Sequence, residues 1–206
     1  MSLPSETDVN EMASISEDDI RDLLITSAEV KKMTADHCSA ATMRAAEMIA
    51  GSLQAGGKLM FCGNGGSAGD SQHLAAEFVA TLDHQRPRHG LAALALTTDT
   101  SLLTAYANDF GFEGVFARQV ETLGRPGDVL VAISTSGNSA NVVKACQAAK
   151  TNDIHIIGMT GEGGGKIADL ADLLLAVPSS VTMHIQESHI ALGHAMTLAV
   201  ERLMDV

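Results

Sequence analysis

The chain has 206 residues, 46% hydrophobic and 18% charged, a balance that fits one folded domain with a sizeable core and excludes a disordered or fibrous chain. Its formal net charge of −12 removes the basic footprint that DNA, RNA or an anionic membrane surface requires. With five Phe, one Tyr and no Trp, the core must be built from aliphatic residues and Met, and a base-stacking platform is excluded as well.

Residues 1–17 are polar and rich in Ser, Glu and Asp, and read as a frayed or appended arm. The opening MSLPSETDVNEM is unlike a signal peptide, and no apolar run reaches the ~18 residues that span a bilayer. Cys38, Cys62 and Cys146 are odd in number and irregular in spacing, so reduced thiols in a cytoplasm are expected rather than a disulfide framework or a zinc knuckle.

Asp18 to about Met33 and His37 to Ala55 read as two helices, with apolar residues at three- and four-residue steps and a stop at Ala55-Gly56-Gly57. Short apolar runs follow at Lys58–Gly63, Leu91–Leu96, Asp128–Ile133, Ile154–Met159 and Leu173–Val177, each separated from the next by a helix-length segment. Val181 to Val206 reads as a long final helix. Continuously apolar strands alternating with helices predict a five-stranded parallel sheet in a three-layer α/β/α domain over residues 18–206, preceded by the extra N-terminal helices. Ligands of such sheets bind beyond the carboxyl ends of the strands.

Two turns and two helices carry the candidate chemistry. Gly63-Asn64-Gly65-Gly66-Ser67 leaves the first strand and opens a helix near Ala68. Its glycines let the backbone approach an anion and its free N–H groups favour negative charge, although an ordinary tight turn explains the same residues. Ser134-Thr135-Ser136-Gly137-Asn138-Ser139 sits between the third strand and a helix starting near Asn138. Four hydroxyls at a helix start make an uncharged phosphate site, where an acidic protein needs no Lys or Arg; a polar N-cap is the plainer alternative.

His73 and Glu77, four apart, leave one helix face, and such a pair can hold a divalent metal or serve as acid and base. On the last helix lie Gln186, Glu187, His189 and His194. Helical geometry pairs Glu187 with His194, about 20° apart, better than Gln186 with His194, about 80° apart. His37, His84, His89 and His155 are assigned to surface or core.

CGNGGSAGDSQHLAAEF, ALTTDTSLLTAYANDFGFE, GDVLVAISTSGNSANVVKA and IQESHIALGH together resemble the phosphoheptose isomerase family of the sugar isomerase (SIS) superfamily, in order and spacing from about His37 to the C-terminus. The resemblance implies a flavodoxin-like sheet, a homotetramer with sites at subunit contacts, and a phosphorylated seven-carbon sugar as partner, with no nucleic acid or membrane. The implied reaction interconverts sedoheptulose 7-phosphate and D-glycero-D-manno-heptose 7-phosphate, the first step toward the activated heptose of lipopolysaccharide or other surface glycans.

Position by position, the resemblance assigns substrate contacts to Asn64, Gly65, Gly66, Ser67, Asn108 and Asp109, and the phosphate to Ser134, Thr135, Ser136 and Ser139. It implies one zinc ion per subunit on His73, Glu77, Gln186 and His194, choosing Gln186 where geometry favoured Glu187. Glu77, as carbon base, and His194, as its acid, would be the catalytic pair, with Glu77 and Gln186 also touching substrate. Family members usually carry an Arg four residues past the Glu; here Thr81 stands there, and Arg86 and Arg88 are the candidates to fill the same space. A SIS adaptor without catalysis, of the kind that binds the bacterial replication initiator, is the alternative; it needs neither Glu77 nor His194. A sugar-phosphate sensor fused to a DNA-binding domain ranks below both.

Overall fold

The computed structural model describes residues 15–205. The expected N-terminal arm falls almost wholly outside them, and Ser16 and Glu17 already belong to structure. Ser16 caps helix α1 (Glu17–Gln54): its hydroxyl accepts from the Asp19 amide at 3.1 Å while the Asp19 carboxylate accepts from the Ser16 amide at 2.8 Å.

Helix α1 is one continuous 38-residue element, which corrects the expectation of two helices broken near residues 34–36. Met33-Thr34-Ala35-Asp36-His37 contains neither Gly nor Pro. Thr34 and Asp36 each cost below about 0.7 kcal/mol in helix propensity, which cannot offset the packing of both halves on one axis. The Thr34 hydroxyl is satisfied within the helix by the Val30 carbonyl at 2.8 Å.

The remaining elements are β1 (Leu59–Cys62), α2 (Gly66–Val79), β2 (Ala93–Ala95), α3 (Thr100–Phe110), a 3-10 turn (Phe112–Gly114), α4 (Val115–Leu123), β3 (Val129–Ile133), α5 (Ala140–Thr151), β4 (His155–Thr160), α6 (Gly165–Ala168), β5 (Leu173–Ala176) and α7 (Thr182–Leu203). The five predicted strands all form. They pair in parallel in the order β2-β1-β3-β4-β5, the flavodoxin-like order.

Period-two alternation divides the strand residues between two cores. Leu59 and Phe61 of β1 join Val129, Val131 and Ile157 against α1, α2 and α7. Met60 and Cys62 join Leu130, Ala132 and Ile156 against α4 and α5. Helices therefore cover both faces, as the unbroken apolar strands required. Among the described residues, no helix is long and apolar enough to cross a membrane.

His189 of α7 is fully buried; its Nε2 donates to the Thr160 carbonyl at 3.0 Å and its Nδ1 has no partner. Burial lowers its pKa from 6.5 to about 4, so the folded chain keeps it neutral where the unfolded chain takes up a proton. This contribution to stability is whole above pH 6.5 and is lost as the pH falls toward 4. Urea unfolding should therefore show the wild type losing on the order of 3 kcal/mol across that window beyond what His189→Gln loses.

Candidate active site at the carboxyl edge of the sheet

Strands β1 and β3 are neighbours, but the helices that follow them pack on opposite faces of the sheet. The loops 63–66 and 134–139 therefore part at the switch point, where a crevice opens in folds of this class. Asn64 in the first loop and Asn141 in the first turn of α5, just past the second loop, are joined by reciprocal amide bonds, each donating to the other at 2.8 Å. Gly65 has φ +57° and is the N-cap of α2; it supplies no side-chain cap, and the turn instead uses backbone carbonyls, with Ser67 N donating to Asn64 O and Ala68 N to Gly65 O, each at 3.0 Å.

Helix α2 begins at Gly66, two residues earlier than predicted, and α5 begins at Ala140, two residues later. The later start leaves the serine loop free of the helix. Ser134 Oγ lies 2.9 Å from Ser139 Oγ and 3.4 Å from Ser136 Oγ, which itself accepts from the Asn138 amide at 3.1 Å. The Thr135 carbonyl accepts from Gly161 N at 3.0 Å, tying the loop to the end of β4. Ser139 is the N-cap of α5 and makes no side-chain cap bond; Val142 N is taken by Asn141 Oδ1 at 3.0 Å, and the first-turn amides ahead of it remain available.

Helices α2 and α7 bring the titratable groups together. His73 Nε2 and His194 Nε2 stand 2.8 Å apart, a separation that needs a proton or a cation between them. Glu77 Oε1 lies 3.3 Å from His73 Nε2, and the ligand atoms of the three residues all fall within 4.8 Å of one another. In a tetrahedral zinc site, ligand atoms sit about 3.3 Å apart, so the donor set fits a divalent cation after a small opening of the two rings. Gly193 permits this meeting. A Cβ there would lie 2.5 Å from Leu74 Cδ2, so α7 crosses α2 over a residue without a side chain, and any larger residue would have to displace the buried Leu74.

Gln186 reaches over the start of α2, where a Cβ on Gly66 would lie 3.3 Å from its Cγ. Its Nε2 donates to Asp70 Oδ1 at 2.7 Å, leaving the amide oxygen as the end free for a ligand. Glu187 faces the other way. It accepts from Ser27, lies 3.3 Å from Lys31 Nζ and 3.7 Å from His184 Nδ1, and is held below the usual carboxylate range chiefly by the Ser27 hydroxyl. The geometric preference for Glu187 is thus corrected: its side chain serves the contact with α1.

Asp70 was missed by sequence reasoning, although it shares a helix face with His73 and Glu77 at i, i+3 and i+7. It is buried, its Oδ2 has no partner, and burial pushes its pKa up, partly offset by the Gln186 amide and the two nearby histidines. Asn108 and Asp109 end α3 on the surface, where the Asn108 amide donates to Asp109 Oδ1 at 2.8 Å. Arg86 is exposed, and Arg88 is turned inward to the end of α2, where its guanidinium donates to the carbonyls of Glu77 and Phe78. The remaining histidines, His37, His84, His89 and His155, are all exposed. A cleft of about 610 Å³ beside the β2 edge is lined by residues such as Ala76, Leu94 and Leu102, and His73, Glu77 and His194 do not line it.

A family model described as the SIS domain matches residues 26–161. A phosphoheptose isomerase of Rhodospirillum rubrum is 53% identical over 185 residues, spanning 90% of this chain and 97% of the relative. The chain belongs to the phosphoheptose isomerase family. A family member from Roseiflexus sp. is 50% identical, over 89% of this chain and 92% of its own. Among solved structures, the phosphoheptose isomerase of Neisseria gonorrhoeae superposes with a TM-score of 0.85 at 47% identity, covering 90% of this chain and 98% of its own. That of Francisella tularensis gives 0.87 at 34% identity, covering 92% and 100%. The family carries the five-stranded SIS sheet seen here, and its members are isomerases.

Because the α2–α7 crossing is so close, Gly193→Val should overpack it. The expected cost is about 1–3 kcal/mol, read as a lowered unfolding midpoint in urea, together with weaker binding of a divalent cation at His73, Glu77 and His194 in equilibrium titration.

Proposed function

We propose that this protein is an aldose–ketose isomerase interconverting sedoheptulose 7-phosphate and D-glycero-D-manno-heptose 7-phosphate, and that it works in the cytoplasm at the first step toward activated heptose for lipopolysaccharide or other surface glycans. The observation that carries the reading is the meeting of Glu77 with the ring nitrogens of His73 and His194 on two separate helices. An adaptor has no need of that cluster.

The reaction moves one proton between C1 and C2 of the sugar through an enediolate, while the phosphate sits at the far end of a seven-carbon chain. Ser134, Thr135, Ser136 and Ser139, with the open amides of α5, hold that phosphate without a cation. Binding energy gathered there positions the reacting carbons. Asn64, Gly65, Gly66 and Ser67 line the sugar's path at the start of α2, and Asn108 and Asp109 complete it. Glu77 takes the proton from carbon and returns it to the neighbouring carbon. His194 exchanges the proton of the sugar oxygens as the carbonyl moves from C2 to C1.

His73, Glu77, His194 and the free amide oxygen of Gln186 are the residues that would hold zinc, and zinc bound there supplies polarisation of the carbonyl and charge stabilisation for the enediolate. A carboxylate engaged with a metal is a weaker base, so with zinc present the metal-holding and proton-moving roles of Glu77 would have to alternate.

The active assembly is a homotetramer with sites at subunit contacts. His73 is 47% exposed in the single chain, which suits a site that a second chain closes. Ile20, Leu24 and Ile25 of α1 present apolar side chains to solvent, and an apolar groove of about 360 Å³ runs between α1 and α7 past Ala35, Met43, Ala191 and Ala195. Surfaces of this kind are what subunit contacts cover.

Purified protein incubated with sedoheptulose 7-phosphate should yield the aldoheptose 7-phosphate by NMR, with activity lost on chelation and restored by zinc. Glu77→Gln should keep its assembly and lose about 10²- to 10⁴-fold in turnover. Absence of product from folded, zinc-supplied wild type would overturn the assignment, and robust turnover by Glu77→Gln would remove Glu77 from the role of base.

A further inference from the structure

We propose that Arg88 is a positioning residue of this site, a buried clamp that fixes the helix bearing Glu77 against the helix bearing His194. The inference rests on the isomerase reading and adds to it a group that touches neither substrate nor metal.

The Arg88 side chain is only 2% exposed although it lies in the segment between α2 and β2. Its guanidinium is engaged on three sides. Nη2 donates to the backbone carbonyl of Glu77 at 2.9 Å, and Nη1 donates to the carbonyls of Phe78 at 2.9 Å and His89 at 3.0 Å. Nε donates to Glu201 Oε1 at 2.7 Å, and the same oxygen accepts from Leu82 N at 3.3 Å. Helix α2 has no basic residue in its own last turn, so a cation brought back from later in the chain meets the carbonyl end of its dipole.

Glu201 follows His194 by seven residues, two turns along α7 and so on nearly the same face. Arg88 therefore links the backbone of Glu77 itself to the rod that carries His194. The loop is built to deliver it: the Thr81 hydroxyl donates to the carbonyls of Asp83 at 3.2 Å and Arg86 at 3.4 Å, folding the segment back on α2. The planar fork is essential. Lysine gathers its three donors on one compact nitrogen and does not reproduce the spread of the guanidinium, whose separate nitrogens reach two helix carbonyls on one side and a carboxylate on the other. A buried ion pair is also a poor source of stability, since apolar replacements of the same size often serve equally well. What the pair supplies is a fixed distance between α2 and α7, on which the His73–Glu77–His194 geometry depends.

The test compares wild type, Arg88→Lys and the double variant R88M/E201M, which exchanges the ion pair for apolar side chains of similar length and is expected to stay folded. Each is titrated with Co²⁺ and its visible absorption recorded, and kcat and KM are measured with the sugar phosphate. Both variants should bind cobalt about 10- to 100-fold more weakly, with an altered spectrum, and lose a similar factor in kcat, while KM stays near the wild-type value because the serine loop is untouched. Wild-type cobalt affinity, spectrum and kcat in either folded variant would overturn the proposal and leave Arg88 a helix cap. The cobalt readout does not depend on turnover. A failure of the isomerase reading would show instead as wild type that binds cobalt and forms no aldoheptose.

Discussion

The close crossing of α2 and α7 is the constraint on which the rest of the site depends. Leu74 packs where a side chain on Gly193 would stand, and from that contact His73 and Glu77 on one helix meet His194 on the other. The sheet contributes by holding α2 at the end of β1, and α1 contributes by packing along α7 on the far side, where Ser27 and Lys31 engage Glu187. Three layers of apolar packing thus converge on one polar point. A shift of an ångström at the Leu74–Gly193 contact would be felt at the nitrogen atoms 2.8 Å apart beside it.

The second organising feature is topological. Because β1 and β3 are adjacent and their helices diverge, two backbone turns of opposite origin face one crevice, and the Asn64–Asn141 amide pair keeps them in register. The glycine-rich turn and the histidine–glutamate pair that follow each other in the sequence are therefore parts of one device. The turn opens α2, and two to three helical turns further on the same helix presents His73 and Glu77 toward His194. An acidic chain of net charge −12 can accommodate an anion in this arrangement because its donors are dipoles and hydroxyls fixed by the fold.

Much of this was legible before any coordinates. Buried parallel strands write themselves as unbroken apolar runs, so all five were found within a residue or two of their bounds. Cap residues are less certain guides, because Ser67, Ala68, Asn138 and Ser139 suit several positions around a helix start, and both site helices began two residues from expectation. The apparent break near residue 35 failed because weak propensity yields to tertiary packing in a helix as long as α1. The choice between Gln186 and Glu187 could not come from angles along α7 alone. It depended on which neighbour each side chain found, Asp70 for one and Ser27 with Lys31 for the other, and those partners are more than a hundred residues away in sequence. The inward turn of Arg88 was hidden for the same reason, since Glu201 is its partner.

The burial that makes the two cores also decides how the protein ages. All three thiols lie inside, with burial pushing the Cys62 and Cys38 pKa values up and that of Cys146 to about 12. Oxidants and alkylating agents attack the thiolate, a form these residues hardly populate, and the histidine–carboxylate cluster offers no sulfur to lose. Oxidative wear is thereby displaced onto thioethers, which need no ionisation to react. Among the described residues Met33, Met43 and Met183 are the exposed methionines, and Met43 lines the apolar groove between α1 and α7. A sulfoxide there would place a polar group in that apolar groove, so chemical damage would fall on the α1–α7 surface rather than on the histidine–carboxylate cluster.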